Sequence, residues 1–330
     1  MLQIPARVVV VIGPGGTIAG VAARADDDAP YCAGQLPIDA LLTGLALPAA
    51  IAVETESVAQ IDSKDMDFAT WRALACAVER QLGRAEVAGI VVTHGTDTLE
   101  ETAWFLQRVV APDRPVVLTG AMRPATAAHA DGPGNLADAL RVAATTSLRG
   151  VVAVLAGTVH SARDVRKAHP RRLDAFTSGG GGPLARIVEG RLERTARASQ
   201  AAEAAAAAQA AEAAPAFGTG RLPAGAGAWP WVETVTSDAG ADGRVVDALV
   251  GAGVAGIVVA ATGNGTVHHR LDAALTAAAA RGVAVVRASR CLDGAIVDGD
   301  AAATPSAGAL TPVKARIELI LELLAARTPR

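Results

Sequence analysis

The chain has 330 residues, of which 51% are hydrophobic and 19% are charged, so it can bury a sizeable core and form two domains of unequal size. Its formal net charge is -3 and its aromatic content is 3%. Nucleic-acid-binding proteins usually present a basic surface and aromatic side chains that stack on bases, so these values argue against a nucleic-acid partner.

The three cysteines, Cys32, Cys76 and Cys291, are far apart and show no zinc or redox spacing, which indicates reduced thiols. The six residues before the first predicted strand resemble no secretion signal, and no apolar run approaches the ~20 residues that cross a bilayer. We therefore expect a cytoplasmic protein that does not bind a membrane.

Short β-branched runs alternate with helical segments through the first part of the chain. The runs are RVVVVI, IAVETE, AGIVVTH, PVVLTG and GVVAVLAG, and they are separated by stretches such as Phe68 to Leu82 and Thr98 to Val110. Continuous apolar strands between helices are typical of a parallel sheet covered on both faces. The pattern predicts an α/β fold whose larger N-terminal domain, residues 1–190, contains a doubly wound, mainly parallel sheet.

A change of composition then marks a domain boundary. Residues 191–228 are first nearly pure alanine and then rich in glycine and proline, so we interpret them as a linker with a marginal helix. The rhythm resumes with WVETVT, GIVVAAT and AVVRAS, and a helix is predicted from Pro312. Residues 229–330 are therefore predicted to form a smaller α/β domain.

Four polar segments follow the first four predicted strands: GGT, DSKDM, THGTDT and TGAMRP. Ligands of open parallel sheets bind beyond the carboxyl ends of the strands. We expect these four segments to converge on one crevice.

The first of them, within GPGGTIAG, allows two functional interpretations. A Walker A loop needs a lysine that is missing here, and a dinucleotide loop needs a glycine where Ile18 stands, so a phosphate cradle is disfavoured. Alternatively, Gly15 and Gly16 turn the backbone sharply and leave the Thr17 hydroxyl free to attack a carbonyl. A plain helix-capping role for Thr17 stays open at this point.

The segment THGTDT places several hydroxyls and a carboxylate, including Thr96 and Asp97, close together at the sheet edge. Burying such polar groups costs free energy unless they bind a partner, so the cluster indicates a functional role. Lys167 lies further along, and a partly buried lysine can act as a base toward a hydroxyl such as that of Thr96. Read alone, however, Lys167 is more readily interpreted as a solvated side chain. His94 is interpreted as a structural, hydrogen-bonded histidine.

No metal or cofactor is predicted. His268 and His269 are adjacent and point about 100° apart if helical, so a shared metal would need further ligands.

Taken together, the motifs resemble the bacterial-type L-asparaginase family, amidohydrolases that split asparagine, and sometimes glutamine, to the acid and ammonia. The resemblance spans nearly the whole chain. It is carried, in the family's order, by GGTIAG, DSKDM, VTHGTDTLEETA, LTGAMRPATAAHADGPGNL, ARDVRKAH, GPL, GNGT and LTPVKAR.

The resemblance implies catalytic roles for five residues. Thr17 matches the nucleophile that forms an acyl-enzyme, and Tyr31 falls in the lid where the family's tyrosine activates that hydroxyl. Thr96 and Lys167 match the pair that assists proton transfer, and Asp97 matches the carboxylate that holds the α-amino group.

The resemblance also implies a substrate-binding set. Ser63 matches the serine that binds the α-carboxylate, and the set further includes Lys64, Thr96, Asp97, Ala121 and Thr266. The substrate is a small amino-acid amide. The family implies a homodimer or homotetramer in which one subunit completes the site of another.

Three departures concern amino-acid recognition. Lys64 stands where the family usually has glutamine or a small polar residue, and a cation pointing inward would repel the substrate's ammonium. Thr266 replaces a common asparagine, and the glutamate that holds the lid tyrosine has only Asp298 or Asp300 as its nearest counterparts.

Two alternatives to an asparaginase stay open, of which the first is motivated by Lys64 and by the missing glutamate. One is a non-catalytic or altered-specificity amino-acid-binding homologue on the same fold. The other, the asparaginase-like subunit of a tRNA-dependent amidotransferase, is disfavoured by the short N-terminus and the slightly acidic chain.

Overall fold

The computed structural model describes residues 7–22, 31–32, 34–45, 51–145, 148–195, 216–299 and 304–327. The chain divides into two compact units, Met1–Gly220 and Arg221–Arg330. The alanine-rich part of the predicted linker, 196–215, lies outside the described residues, as does Asp300.

The larger unit contains twelve described strands. In chain order they are β1 (Arg7–Gly15), β2 (Val21–Ala22), β3 (Tyr31–Cys32), β4 (Ile51–Ile61), β5 (Val87–Thr93), β6 (Pro115–Thr119), β7 (Gly150–Leu155), β8 (Thr158–Ser161), β9 (Arg166–Lys167), β10 (Phe176–Thr177), β11 (Ala185–Val188) and β12 (Arg191–Arg194).

Eight of these strands form one sheet, in the order β12-β11-β8-β7-β6-β5-β1-β4. From β4 to β7 all neighbours are parallel, and from β7 to β12 all are antiparallel. The predicted mainly parallel sheet is confirmed. Its antiparallel end includes Arg191–Arg194, the first residues of the segment predicted as a linker.

Four described helices belong to this unit: α1 (Ile38–Leu42), α2 (Phe68–Leu82), α3 (Leu99–Val110) and α4 (Gly132–Ala143). Val9 and Val11 of β1 share a buried core with Leu136 and Leu140 of α4. Successive strand side chains point to opposite faces, and Val10 and Ile12 on the other face are also buried. Strand β1 is therefore covered on both faces, as the doubly wound prediction requires.

Aromatic packing joins α2 to α3. The Trp71 ring stacks on Phe105 with centroids 4.8 Å apart and an interplanar angle of 13°. Its indole N–H donates to the Thr102 hydroxyl at 2.8 Å, in a buried hydrogen bond. Because α3 directly follows THGTDT, this packing fixes the helix whose N-terminus carries that segment.

The smaller unit has a three-stranded parallel sheet, β13 (Val232–Thr236), β14 (Gly256–Ala261) and β15 (Ala284–Ser289), in the order β13-β14-β15. Its described helices are α5 (Arg244–Gly251), α6 (His269–Ala280) and α7 (Pro312–Arg327). The smaller α/β unit predicted from the sequence is confirmed. In the part of the chain that the structure describes, no helix combines the length and the apolarity that a membrane span requires.

Candidate active site

The turn after β1 is built from two glycines with left-handed backbone. Gly15 has φ 113° and Gly16 has φ 96°, and a 3-10 turn follows over Thr17–Ala19. A Cβ on Gly16 would lie 2.2 Å from the backbone nitrogen of Gly95, so only glycine fits there. The Thr17 backbone therefore starts directly beside the THGTDT segment.

A second close approach joins THGTDT to DSKDM. A Cβ on Gly95 would lie 2.4 Å from the Ser63 hydroxyl oxygen. That oxygen accepts the Asp97 backbone N–H at 3.3 Å, and the Thr98 hydroxyl donates to the Ser63 carbonyl at 2.8 Å. Three of the four predicted segments thus meet at the carboxyl ends of β1, β4 and β5.

The charged centre of this edge is Lys167. Its ammonium nitrogen lies 2.8 Å from the Thr96 hydroxyl oxygen and 2.6 Å from Asp97 Oδ1. The Lys167 side chain is only 17% exposed, whereas the Asp97 side chain is 55% exposed. Lys167 is therefore not a freely solvated side chain: it contacts a hydroxyl and a carboxylate that lie about 70 residues away in the chain.

Lys167 lies on a short β-hairpin that places it at this edge. In the antiparallel pair of β9 and β10, Lys167 lies opposite Phe176, which is buried. The Lys167 backbone N–H donates to Glu100 of α3 at 3.3 Å. This hydrogen bond attaches the hairpin to α3, the helix that directly follows THGTDT.

Lys64 points to the exposed side of its own turn. Its ammonium lies 2.9 Å from a carboxylate oxygen of Asp62 and 2.9 Å from one of Asp65, and its side chain is 61% exposed. The hydrogen bonds to Asp65 and Asp62 raise the pKa of Lys64. Its positive charge is therefore matched by two neighbouring carboxylates.

The TGAMRP turn is held by two residues whose roles the sequence analysis did not identify. The Asp131 carboxylate accepts the backbone N–H groups of Met122 and Arg123, at 2.9 Å each in the shorter contacts. Asn135 donates to the Gly120 carbonyl at 2.9 Å. The backbone on both sides of the buried Ala121 is fixed in this way. The sequence feature that could have identified Asp131 is its position in ADGP, directly before α4.

His94, the second residue of THGTDT, is fully buried. Its Nδ1 donates to the Gly95 carbonyl at 2.7 Å, and within the described residues its Nε2 has no hydrogen-bond partner. Burial lowers the pKa of His94 to about 4, so the ring is neutral at pH 7. The structure agrees with the interpretation of His94 as a structural, hydrogen-bonded histidine.

The side chains of Thr17 and Tyr31 lie outside what the structure describes, so only their backbone is placed. Tyr31 pairs with Ala22 in the two-stranded β2-β3 sheet. Just beyond it, the Gly34 N–H donates to the Gly16 carbonyl at 3.0 Å. The backbone that carries Tyr31 therefore returns to the turn that carries Thr17.

The remaining predicted residues lie in the smaller unit. Thr262 and Thr266 exchange backbone hydrogen bonds of 2.9 and 2.8 Å across a turn, and their hydroxyls are 2.8 Å apart. Asp298 forms an ion pair with Arg287 at 2.5 Å and accepts from Ser306. Across the described ranges, no group of three or more His, Cys, Asp or Glu residues could hold a metal ion.

Comparison with known families matches both units. The family model described as "Asparaginase, N-terminal" matches residues 8–200, and the "Glutaminase/Asparaginase C-terminal domain" matches residues 231–330.

Relatives match over nearly the full length. L-asparaginase 2 of Escherichia coli (strain K12) is 35% identical, covering 98% of this chain and 90% of that protein. The probable periplasmic L-asparaginase of Haemophilus influenzae is 36% identical with the same coverage. The crystal structure of a probable cytoplasmic L-asparaginase from Campylobacter jejuni superposes with a TM-score of 0.85 at 33% identity, over 97% of this chain and 95% of that one. The chain therefore belongs to the asparaginase family of amidohydrolases.

Proposed function

We propose that this enzyme hydrolyses L-asparagine to L-aspartate and ammonia through an acyl-enzyme on Thr17. The observation that carries the proposal is the Lys167 ammonium, which is hydrogen-bonded to both Thr96 and Asp97 beside the Gly16 turn. The relatives named L-asparaginase support asparagine as the substrate. Glutaminase-asparaginases, such as that of Pseudomonas fluorescens at 35% identity, make glutamine the nearest competitor.

In the proposed binding mode, Asp97 accepts the α-ammonium group and Ser63 donates to the α-carboxylate. Asp97 keeps more than half of its side chain exposed, so it has oxygen lone pairs to offer besides the one used by Lys167. The positive charge of Lys64 is already paired with Asp62 and Asp65, so Lys64 does not prevent the substrate's α-ammonium from binding at Asp97. The proposed binding set also includes Ala121 and, contributed by a neighbouring subunit, Thr266, as the resemblance implies.

The proposed reaction has two halves. In the first, the Thr17 oxygen bonds to the amide carbon, its proton is passed on with the help of Tyr31, the C–N bond breaks and protonated nitrogen leaves as ammonia. In the second, water attacks the acyl group on Thr17, and aspartate leaves as the threonine hydroxyl is restored.

Proton transfer in both halves is the proposed task of Thr96 and Lys167. The Thr96 oxygen accepts from the Lys167 ammonium, so the proton of its own hydroxyl is free to point toward a reacting group. A hydroxyl and an amine that are hydrogen-bonded to each other can relay a proton. Such a relay can supply the acid that the leaving nitrogen needs in the first half and the base that the attacking water needs in the second.

We also propose a homodimer or homotetramer in which subunits complete each other's sites, and a cytoplasmic location. The resemblance supports the assembly, and the cytoplasmic relative from Campylobacter jejuni supports the location, although the relative from Haemophilus influenzae is named as periplasmic. Sedimentation and fractionation of the native cell extract test these two points.

The test is ammonia release from L-asparagine, L-glutamine, their D-forms and β-aspartyl amides, with the Thr17→Ala variant alongside. We expect L-asparagine to be the preferred substrate and Thr17→Ala to be inactive. Full activity in Thr17→Ala, or no turnover of any amide, contradicts the proposal. Aspartate binding without turnover would instead identify the non-catalytic homologue.

A further inference from the structure

The turn between β9 and β10 contains a histidine that acts as a hydrogen-bond acceptor. His169 Nδ1 accepts the backbone N–H of Arg171 at 3.1 Å and that of Arg172 at 3.0 Å. A ring nitrogen that accepts hydrogen bonds is unprotonated. The imidazole therefore closes this turn as the side-chain oxygen of asparagine closes an Asx-turn.

The hairpin that this turn closes is very short. Each strand has two residues, and Lys167 lies opposite Phe176. Beyond the ladder, the N–H groups of Ala168 and His169 both donate to the Ala175 carbonyl, at 2.7 and 3.2 Å. Two-stranded ribbons are marginally stable by themselves. The two hydrogen bonds that His169 accepts therefore add to the anchoring that the hairpin receives from the buried Phe176 and from Glu100.

Lys167 depends on the position of this hairpin. Its side chain has four rotatable bonds, yet its ammonium must lie 2.8 Å from Thr96 and 2.6 Å from Asp97 at the same time. His169 is two residues away, in the turn that directly follows β9. A displacement of about 1 Å in a catalytic group is enough to cost a large factor in rate.

We propose that His169 is a positioning residue, which closes the β9-β10 turn and thereby holds Lys167 in contact with Thr96 and Asp97. The inference rests on the role proposed above for Lys167. His169 itself touches neither substrate nor reacting atoms in this scheme, since its acceptor nitrogen is engaged with the backbone of its own turn.

The kinetic test compares His169→Ala with His169→Asn. The asparagine side-chain oxygen can accept the same two N–H groups, whereas alanine cannot. We expect kcat to fall about tenfold in His169→Ala with little change in KM, and to stay near the wild-type value in His169→Asn. The matched control is Leu173→Ala, an exposed side chain in the same turn, which should leave kcat unchanged.

A second measurement does not depend on turnover. The sequence has three lysines, Lys64, Lys167 and Lys314, so lysine-selective carbon-13 NMR at the ε position yields three signals. The signal absent from Lys167→Met identifies Lys167. It should shift or broaden in His169→Ala and stay in place in His169→Asn.

The outcomes separate the two proposals. If the wild type turns over no amide and the Lys167 signal still shifts in His169→Ala, the proposed function fails and the positioning role stands. If the wild type is active but His169→Ala keeps both its kcat and its Lys167 signal, the positioning role is overturned. Equal losses in His169→Ala and His169→Asn also overturn it.

Discussion

Replacement of Lys167 by methionine should separate catalysis from stability. Methionine keeps most of the length and apolar volume of the side chain but has no ammonium. The substitution therefore abolishes the hydrogen bonds that this ammonium donates to Thr96 and Asp97. A positioned acid–base group typically contributes 10²–10⁴-fold to a rate, which is about 3–5 kcal/mol of activation free energy. We expect kcat and kcat/KM to fall together by about that factor.

The cost to folding should be much smaller. Asp97 is left without its cation in Lys167→Met, but its side chain is 55% exposed and water hydrates the carboxylate. The loss in the free energy of unfolding is then about 1 kcal/mol, which corresponds to roughly 2–4 °C in Tm for a domain of this size.

The assay is continuous ammonia release from L-asparagine at saturating and limiting concentrations, with calorimetry on the same samples. Arg186→Met, a cation-to-methionine change at an exposed position of β11, is the matched control and should retain wild-type kcat. A folded Lys167→Met enzyme with kcat within about tenfold of the wild type would refute the assignment of proton transfer to Lys167.

Buried and paired groups support three other predictions. Burial lowers the pKa of His94 to about 4, so below the ordinary pKa of 6.5 the folded state binds fewer protons than the unfolded state. The free energy of unfolding should therefore fall by about 3 kcal/mol as the pH drops from 6.5 to 4. Urea unfolding of His94→Gln should show a shallower pH dependence. Lys64→Gln leaves the carboxylates of Asp62 and Asp65 unpaired on either side of Ser63, where they repel the substrate's α-carboxylate. KM for asparagine should therefore rise at low salt and recover at about 0.5 M NaCl; an unchanged KM at low salt would show that these charges do not reach the substrate. Thr102→Val leaves the buried Trp71 N–H without its acceptor and should cost about 1–3 kcal/mol in chemical denaturation while kcat is unaffected; a wild-type stability would contradict the importance of that hydrogen bond.

Much of the fold could be predicted from local pattern. Each apolar run assigned as a strand is one, and the helices predicted over Phe68 to Leu82 and from Pro312 have those bounds. These elements have strong signals because each buries several large apolar residues at the spacing of its own secondary structure. The antiparallel strands β8, β11 and β12 were not predicted, because such short strands carry little periodicity.

The candidate site could be predicted as a set of segments, since the carboxyl ends of parallel strands share one edge. Which atoms meet there depends on longer-range packing. Glycines at positions 16 and 95 let three loops approach within a distance that any Cβ would block. The direction of Lys64 also could not be predicted, because two carboxylates of its own turn compete for its ammonium and only the backbone geometry decides between them and the site.

The sequence by itself determined the long helices and the parallel strands, the order of the motifs and the residue types able to perform acyl transfer. Only the tertiary structure decided that Lys167 reaches Thr96 and Asp97 and that His169 closes the turn behind it. The physical reason is the sequence separation of the contacts. Secondary structure follows from contacts between neighbours in the chain. The Lys167 ammonium reaches a hydroxyl about 70 residues away only after the sheet, the α3 helix and a short hairpin have packed together.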